Sequence, residues 1–466
     1  MLPNLVLICL DCVRKDRYDS LATRLQDHSD IEFYQCRAAS SWSAPSHASM
    51  FTGQLPHEHG VHSYDYDFSK LSHKDTFLSV LPDHSTLGVS ANPFASSFFG
   101  FDSLFDSWVD VRPELLFLDG MAIKQFTWEH DSEGLELYIE FIRQALKDDH
   151  PAKSVVNGVY SKLQNKLLTL PIPRVKDYGG KRVSKYSKRL IERSSEPFFL
   201  FANFMDAHGP YRQIRAHDTS IYNAPNNWSS TDFDKVGTNL TGGLTDDVDA
   251  AHYRGIYNAD IDYLDRLVSG FISDLKDMSE HPTVFLITAD HGQNLAYNRE
   301  NDLIAHMGTL SEGTLHVPLD LVAPWRVSET LIKDYTSHLQ LPELLEELVH
   351  GGSPEITTNH PRAEIIGGAG AQGRLNEDDD QWDYWTRVQR CVYSETQKCW
   401  WDSLGGSNIS EIEENHPNVE YETGETFDID EFDRRWFAEN IDDVDRVATD
   451  SINQKTASRL HDLGYL

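Results

Sequence analysis

Four near-continuous apolar runs constrain this chain more than any other feature: Asn4–Leu10, Phe198–Phe204 (FFLFANF), Thr283–Thr288 (TVFLIT) and residues 317–322 (VPLDLV). A run without polar alternation reads as a strand buried on both faces, the pattern of a parallel sheet covered by helices. Three of the runs end in polar residues, the first at Asp11, the second at Asp206 and His208, the third at Asp290 and His291. Between them lie helical patterns, most clearly over 253–278, where Ile261, Leu264, Val268, Ile272 and Leu275 recur at steps of three and four to make one apolar face. Strands alternating with helices predict an α/β fold, a doubly wound, mostly parallel sheet flanked by helices. Ligands bind such sheets outside the carboxyl ends of the strands, where these aspartates and histidines collect.

At 466 residues the chain exceeds one small core. Residues 1–350 are expected to form the larger, catalytic domain. The stretch 351–362 (GGSPEITTNHPR) breaks the chain with glycine and proline and reads as a linker. Beyond it, the short runs RCVYSE and QKCWW and the closing TASRLHDLGYL predict a smaller α+β subdomain over 363–466, with short antiparallel strands and a terminal helix.

Charge excludes one class of partner. With 74 Asp and Glu against 41 Lys and Arg, a net charge of -33, the surface repels phosphate backbones, so no nucleic acid is expected. An acidic coat spread along the whole chain predicts a halophilic protein that stays dispersed in strong salt. The opening MLPNLVLICLDCVRKDR is too short to span a bilayer and has no basic region before it, so neither signal peptide nor stable membrane insertion is expected. Five cysteines without framework spacing predict reduced thiols and a cytoplasmic address. Cys9 and Cys12 form a lone C-x-x-C, a weak zinc signal, and Cys9 reads as a strand residue facing the core. Residues 152–193 are locally basic. They read as a solvated helical cover, with a patch attracting an anionic substrate or a membrane surface as the alternative. The polar stretch 214–247 reads as a long surface loop.

The residues that carry chemistry are Asp11, Ser43, His47, His208, Asp290, His291 and His306. Two strand-end aspartates with an adjacent histidine supply oxygen and nitrogen ligands for a divalent ion, leaving positions open for a hydroxyl and an anionic substrate. Ser43, before a turn stiffened by Pro45, is the candidate hydroxyl. Ser46 is expected to cap the helix that follows it.

Strand-end Asp11, S-A-P-S-H-A-S-M-F-T-G at 43–53, H-G-P-Y at 208–211 and T-A-D-H-G at 288–292 followed by V-P-L resemble, in this order, the sulfatases of the alkaline phosphatase superfamily. YNADIDYLDRLVSGF and the closing LGYL extend the resemblance over nearly the whole chain. It implies an alkaline-phosphatase-like fold and one divalent ion, Mg, Mn, Ca or Zn, bound by Asp11, Asp290, His291 and Ser43. Ser43 stands where the family carries the Cys or Ser that is oxidised to formylglycine. His47 stands in place of an arginine that supports the nucleophile and belongs to its maturation signal. His208 matches the histidine that contacts the transferred group or protonates the leaving oxygen, and His306 lies near the place of an anion-holding lysine. Asn92, in SANPFASSFFGFD, and Tyr211, beside His208, complete the expected substrate contacts.

Two departures matter. Cys12 follows Asp11 where the family often has a second aspartate, which removes a carboxylate and disfavours calcium. His47 in place of arginine bears on formylglycine formation, and a plain serine suits phosphoryl transfer better than sulfuryl transfer. The leading expectation is a metal-dependent sulfuric ester hydrolase acting on small or carbohydrate sulfates. A phosphodiesterase, phosphonate or phosphate ester hydrolase with unmodified Ser43 is the alternative, and a catalytically lapsed anion-binding protein a third. The charge yields a direct prediction: the thermal unfolding midpoint rises as salt is raised towards molar levels, where the Debye length falls to about 3 Å. A midpoint indifferent to salt removes the halophilic reading.

Overall fold

The computed structural model describes residues 2–444 and 446, except 124–125, 128–133, 169–171, 326–329, 352–355, 369–374, 376–377 and 414–415. The expected terminal helix in TASRLHDLGYL lies outside the described residues.

The strands in chain order are β1 (Asn4–Leu10), β2 (Ile31–Arg37), β3 (Ser85–Ser90), β4 (Ser107–Asp110), β5 (Phe198–Phe204), β6 (Thr283–Thr288), the two-residue strands β7 (Asn294–Leu295) and β8 (Ile304–Ala305), β9 (Leu319–Val322) and β10 (Thr330–Ser337). All but β7 and β8, which pair with each other, form one sheet in the order β10-β2-β9-β6-β1-β5-β3-β4. β1 lies between β5 and β6, parallel to both, with Cys9 level with Asn203 on one side and Thr288 on the other. Every residue of these three strands is buried, which is why each reads as an unbroken apolar run.

One expectation changes. The run 317–322 does form a strand, but a shorter one, antiparallel to both β2 and β6. A parallel neighbour needs a crossover across the sheet, usually an α-helix, whereas the residues between β6 and β9 form the β7–β8 ribbon and only short helical turns at Asn298–Glu300 and Glu312–Leu315. The helix over 253–278 is longer than its apolar pattern, Asp247–Met278, because the Asp246 carboxylate accepts from Val248 N and Asp249 N and starts it earlier.

A second, antiparallel sheet consists of β11 (Arg362–Ile366), β12 (Val388–Ser394), β13 (Gln397–Asp402), β14 (Ser407–Ile412) and β15 (Glu420–Glu422). It reaches the segment that leads to Ser43. Glu364 N donates to the Ala39 carbonyl at 2.9 Å, and Ser40 Oγ donates to the Glu364 carbonyl at 2.8 Å. The Glu364 side chain accepts from Arg390 Nε at 2.8 Å and, through its other oxygen, from the His57 backbone N at 2.8 Å. Arg390 Nη1 also donates to Asp433 at 2.9 Å, beside Trp401 Nε1 at 2.8 Å. Arg390, Glu364 and Asp433 are all fully buried.

Removing one partner of a buried ion pair leaves an uncompensated charge, at a cost of about 3–5 kcal/mol. Arg390→Ala strands two carboxylates at once, so chemical denaturation should show a loss of at least that order. A loss under about 1 kcal/mol would mean that the network does not brace the second sheet.

Candidate active site

The helix carrying the candidate nucleophile spans Ser43–Thr52 and ends on Gly53 in the left-handed region at φ 71°, a conformation natural to glycine. Ser46 does not cap it. The helix starts three residues earlier, after Trp42, and Ser46 Oγ instead donates to the Ser40 carbonyl at 2.9 Å. Ser43 therefore sits in the first turn, tied through Ser40 to the second sheet.

Ser43 Oγ is the point on which other side chains converge. It accepts from Asn92 Nδ2 at 2.9 Å, and lies 3.5 Å from Asp11 Oδ2 and 3.3 Å from His291 Nε2. Asn92 Nδ2 also donates to Asp11 Oδ2. Asp11 follows β1, Asn92 follows β3, and Asp290 and His291 follow β6, so the level register of the parallel strands brings them together. The Asp290 carboxylate accepts from His291 N at 3.0 Å and Cys12 N at 3.3 Å through Oδ1. Its Oδ2 receives no hydrogen bond among the described residues, although His291 Nε2 lies 3.4 Å away.

The two carboxylates behave differently. Burial, reinforced by the charge of Asp290, pushes Asp11 well above the usual carboxylate range. For Asp290 burial works in the same direction but is outweighed by His291 and His47, and the group is held below its ordinary value. Without a cation the pair thus favours one proton between them.

The donor set fits a divalent ion. The carboxylates of Asp11 and Asp290, the hydroxyl of Ser43 and the His291 ring face one another, and an orphaned carboxylate oxygen lies among them. His291 Nδ1 donates to the Gly292 carbonyl at 2.8 Å, which leaves the Nε2 lone pair on the side of Ser43 and Asp290, the tautomer a ligating histidine needs. Gly292 must be glycine, since a β-carbon there would meet the Gly313 carbonyl oxygen at 2.2 Å.

The other expected residues divide into two groups. His306 and His208 adjoin the cluster, with ring centroids 4.5 Å from His291 to His306 and 5.4 Å from His208 to His306. His208 Nδ1 donates to the Gly209 carbonyl, and burial, followed by the charge of Lys235, lowers its pKa to about 3. His47 and Tyr211 lie deeper. His47, one turn on from Ser43, donates through Nδ1 to the Ser43 carbonyl at 2.6 Å, accepts from Asn203 Nδ2 at 3.1 Å, and packs edge-on against Phe101 and Phe201. Tyr211 is fully buried, and its hydroxyl donates to the Ala207 carbonyl and accepts from Gln293 Nε2, both at 3.0 Å. Gln293 in turn presents Oε1 to His306 Nδ1 at 3.2 Å, so Tyr211 acts on the cluster through Gln293.

Sequence reasoning missed Lys235, Gln293 and the place of Cys12. Lys235 comes from the polar stretch 214–247, of which it is the only lysine. A β-carbon on Gly209 would lie 3.6 Å from its Nζ, so the ammonium stands over the turn after His208, and burial lowers its pKa to about 8. Cys12 is held in the left-handed region at φ 64° by its N–H on Asp290 and by the Tyr257 hydroxyl, which donates to its carbonyl at 2.8 Å. Its thiol donates to Asp11 Oδ1 at 3.2 Å and lies 3.7 Å from His306 Nδ1. Cys9 Sγ instead lies 3.9 Å from His47 Nε2, so the C-x-x-C thiols serve different neighbours.

A sulfatase family model matches residues 3–349, and no curated protein matches the chain in sequence. Among solved structures the chain is similar to the protein BT4656, solved with its substrate D-glucosamine-2-N,6-O-disulfate, at 11% identity and a TM-score of 0.58 over 88% of this chain and 91% of that one. It is also similar to the phosphonate monoester hydrolase of Silicibacter pomeroyi, at 13% identity and a TM-score of 0.55 over 100% and 96% of the two chains. That of Agrobacterium radiobacter gives 13% and 0.55 over 88% and 89%. Identities this low speak for the fold alone. Taken with the family match across three quarters of its length, the chain belongs to the sulfatase family and is a sulfatase-like ester hydrolase.

Proposed function

We propose that the protein hydrolyses sulfate esters of small molecules or carbohydrates, with Ser43, as serine or as formylglycine, for its nucleophile. The convergence of Asn92, Asp11 and His291 on Ser43 Oγ carries this reading. Residues 1–350 form the catalytic domain on this view, and the segment after 362 braces the approach to Ser43. Asp11, Asp290 and His291, with Ser43, would hold one divalent ion, which supplies charge stabilisation and a lowered hydroxyl pKa when bound.

The chain's own groups divide the remaining work. Asn92 donates both to Ser43 Oγ and to Asp11 Oδ2, and so fixes the hydroxyl's lone pairs relative to the carboxylates. His47 holds the first turn of the nucleophile's helix from behind and is a positioning residue. His208, neutral in the free protein, and His306 line the approach, and Lys235 supplies the positive charge that an ester anion requires. Lys235 and His306 retain more exposure than Asp11, Ser43, Asp290 or His291, which sets the anion's entry on their side.

A second reading, a phosphonate or phosphate ester hydrolase with unmodified Ser43, is favoured by one observation. The residue in the family's arginine position, His47, is turned inward onto the Ser43 carbonyl and Asn203, and brings no guanidinium to the nucleophile. Mass spectrometry of the Ser43 peptide separates the two, since formylglycine lowers the mass by about 2 Da and the aldehyde mechanism then favours sulfate over phosphate esters. Ser43→Ala should lower turnover of the preferred ester by roughly three orders of magnitude or more. Full activity in that variant removes the assignment.

Two further outcomes follow from the same site. Elemental analysis should find about one divalent ion per chain, falling towards none in Asp290→Ala, and unchanged occupancy would remove the ligand set. Lys235 is depressed to about 8, so its ammonium is present below that pH and lost above it. The kcat/KM for an anionic ester should therefore fall as pH rises through about 8, and Lys235→Met should abolish that limb of the profile. An alkaline limb unchanged in Lys235→Met would remove Lys235 from anion binding.

A further inference from the structure

One thiol of the C-x-x-C pair sits in a setting unlike that of any other cysteine here. All five cysteines are free and buried, and a buried free thiol ordinarily packs as a small hydrophobe. Cys9, Cys36 and Cys391 do so in the main apolar core, and Cys399 in that of the second sheet. Cys12 joins no apolar cluster among the described residues. Its Sγ instead faces polar groups, Asp11 Oδ1 at 3.2 Å and His306 Nδ1 at 3.7 Å.

The thiol stands where the cation site has room for a further donor. A ligand atom from each of Asp11, Cys12 and His291 lies within 4.8 Å of the other two, and Asp11 and His291 already belong to the donor set described above. Asp290 is tied to the same cysteine, because Cys12 N donates to its Oδ1 at 3.3 Å. The other oxygen of Asp290, fully buried, receives no hydrogen bond among the described residues. The two carboxylates thus hold Cys12 from both its backbone and its side chain. An ion about 2.3 Å from sulfur and about 2.1 Å from a carboxylate oxygen sets those two atoms about 3.6 Å apart in a tetrahedral arrangement. With 3.2 Å between them in the empty site, a slight opening admits the ion.

A second grouping shares the same sulfur, with His208 and His306, and suits a cation less well. The Lys235 ammonium repels positive charge at both of these histidines. Gln293 gives its amide hydrogens to Tyr211 and Tyr253, so its Oε1 receives the His306 Nδ1 proton at 3.2 Å. The ring atom of His306 that lies 3.7 Å from the sulfur therefore carries a proton and has no lone pair for a metal.

We infer that Cys12 is a thiolate ligand of the active-site ion, and that this ion is zinc or a similarly thiophilic divalent metal. Sulfur takes over the coordination that a second aspartate at this position would give. Thiolates favour zinc, whereas calcium and magnesium take oxygen. On binding, the S–H bond breaks, the sulfur's electron pair goes to the ion and the proton leaves to solvent, so no oxidant or reductant takes part. The inference rests on the reading of Asp11, Asp290 and His291 as metal ligands and adds the class of metal to it.

Cobalt(II) added to the metal-free full chain tests it, because a thiolate on cobalt gives a near-ultraviolet charge-transfer band that oxygen and nitrogen ligands do not. The wild-type chain should show the band, Cys9→Ala should retain it and Cys12→Ser should lose it. Cys12→Ser should also bind zinc more than about tenfold more weakly, since changes even outside the ligand shell cost that much. X-ray absorption of the zinc-loaded wild-type chain needs no variant, and should find a sulfur neighbour at about 2.3 Å. Bound metal with only oxygen and nitrogen neighbours, or a band that survives in Cys12→Ser, overturns the inference and leaves the site of Asp11, Asp290 and His291 standing. A chain that takes up neither cobalt nor zinc overturns both.

Discussion

Two carboxylates that cannot both be charged in a dry interior govern this molecule. Asp11 and Asp290 follow adjacent parallel strands, both fully buried, and burial with mutual repulsion drives Asp11 towards its neutral form while His291 and His47 keep Asp290 ionised. A core shaped only for stability would not retain such a pair, since apolar side chains of similar size often serve stability as well or better. The pair makes sense as half of a cation site, and the surrounding polar groups are arranged to leave that site intact. His291 gives its Nδ1 proton away to a carbonyl, Cys12 is bent into a left-handed conformation to bring its N–H onto Asp290, and Asn92 bridges Asp11 to Ser43.

The scaffold explains how such costly groups stay in place. Apolar runs of seven, seven and six residues hold β1, β5 and β6 in register, so the strand ends cannot slip without exposing the core of the sheet. Ser43 is not on a strand. Its helix is held from the other side, through Ser46 to Ser40 and through Ala39 and Ser40 to β11. The second sheet is therefore coupled to the segment leading to Ser43 by hydrogen bonds to Ala39 and Ser40, and the buried ion pairs of Arg390 with Glu364 and Asp433 keep that coupling stiff. Arg37 with Glu312, and Lys398 with Glu312 and Glu420, make a second such seam between the two sheets.

Much of this was legible in the sequence, and the reasons are specific. Unbroken runs such as NLVLICL and FFLFANF could only be strands covered on both faces, and Asp11, Ser43, Asp290 and His291 could be picked out because each stands beside an apolar run or a turn whose geometry needs little context. What only the tertiary structure decided depends on contacts between segments far apart in the chain. The direction of β9 followed from how the chain returned after β6. The start of the Ser43 helix was set by Ser40 and β11, more than three hundred residues apart in sequence, and so Ser46 lost its capping role. His47 and Tyr211 look like site residues in one dimension, yet they turn inward because Phe201 and Asn203 on one side, and Gln293 on the other, receive them there. Lys235 shows the converse. A single lysine in a polar stretch has no local pattern to announce it, and it becomes a candidate for holding an anion only because the fold lays the start of the short helix Lys235–Leu240 beside Gly209, where burial makes its charge both costly and useful.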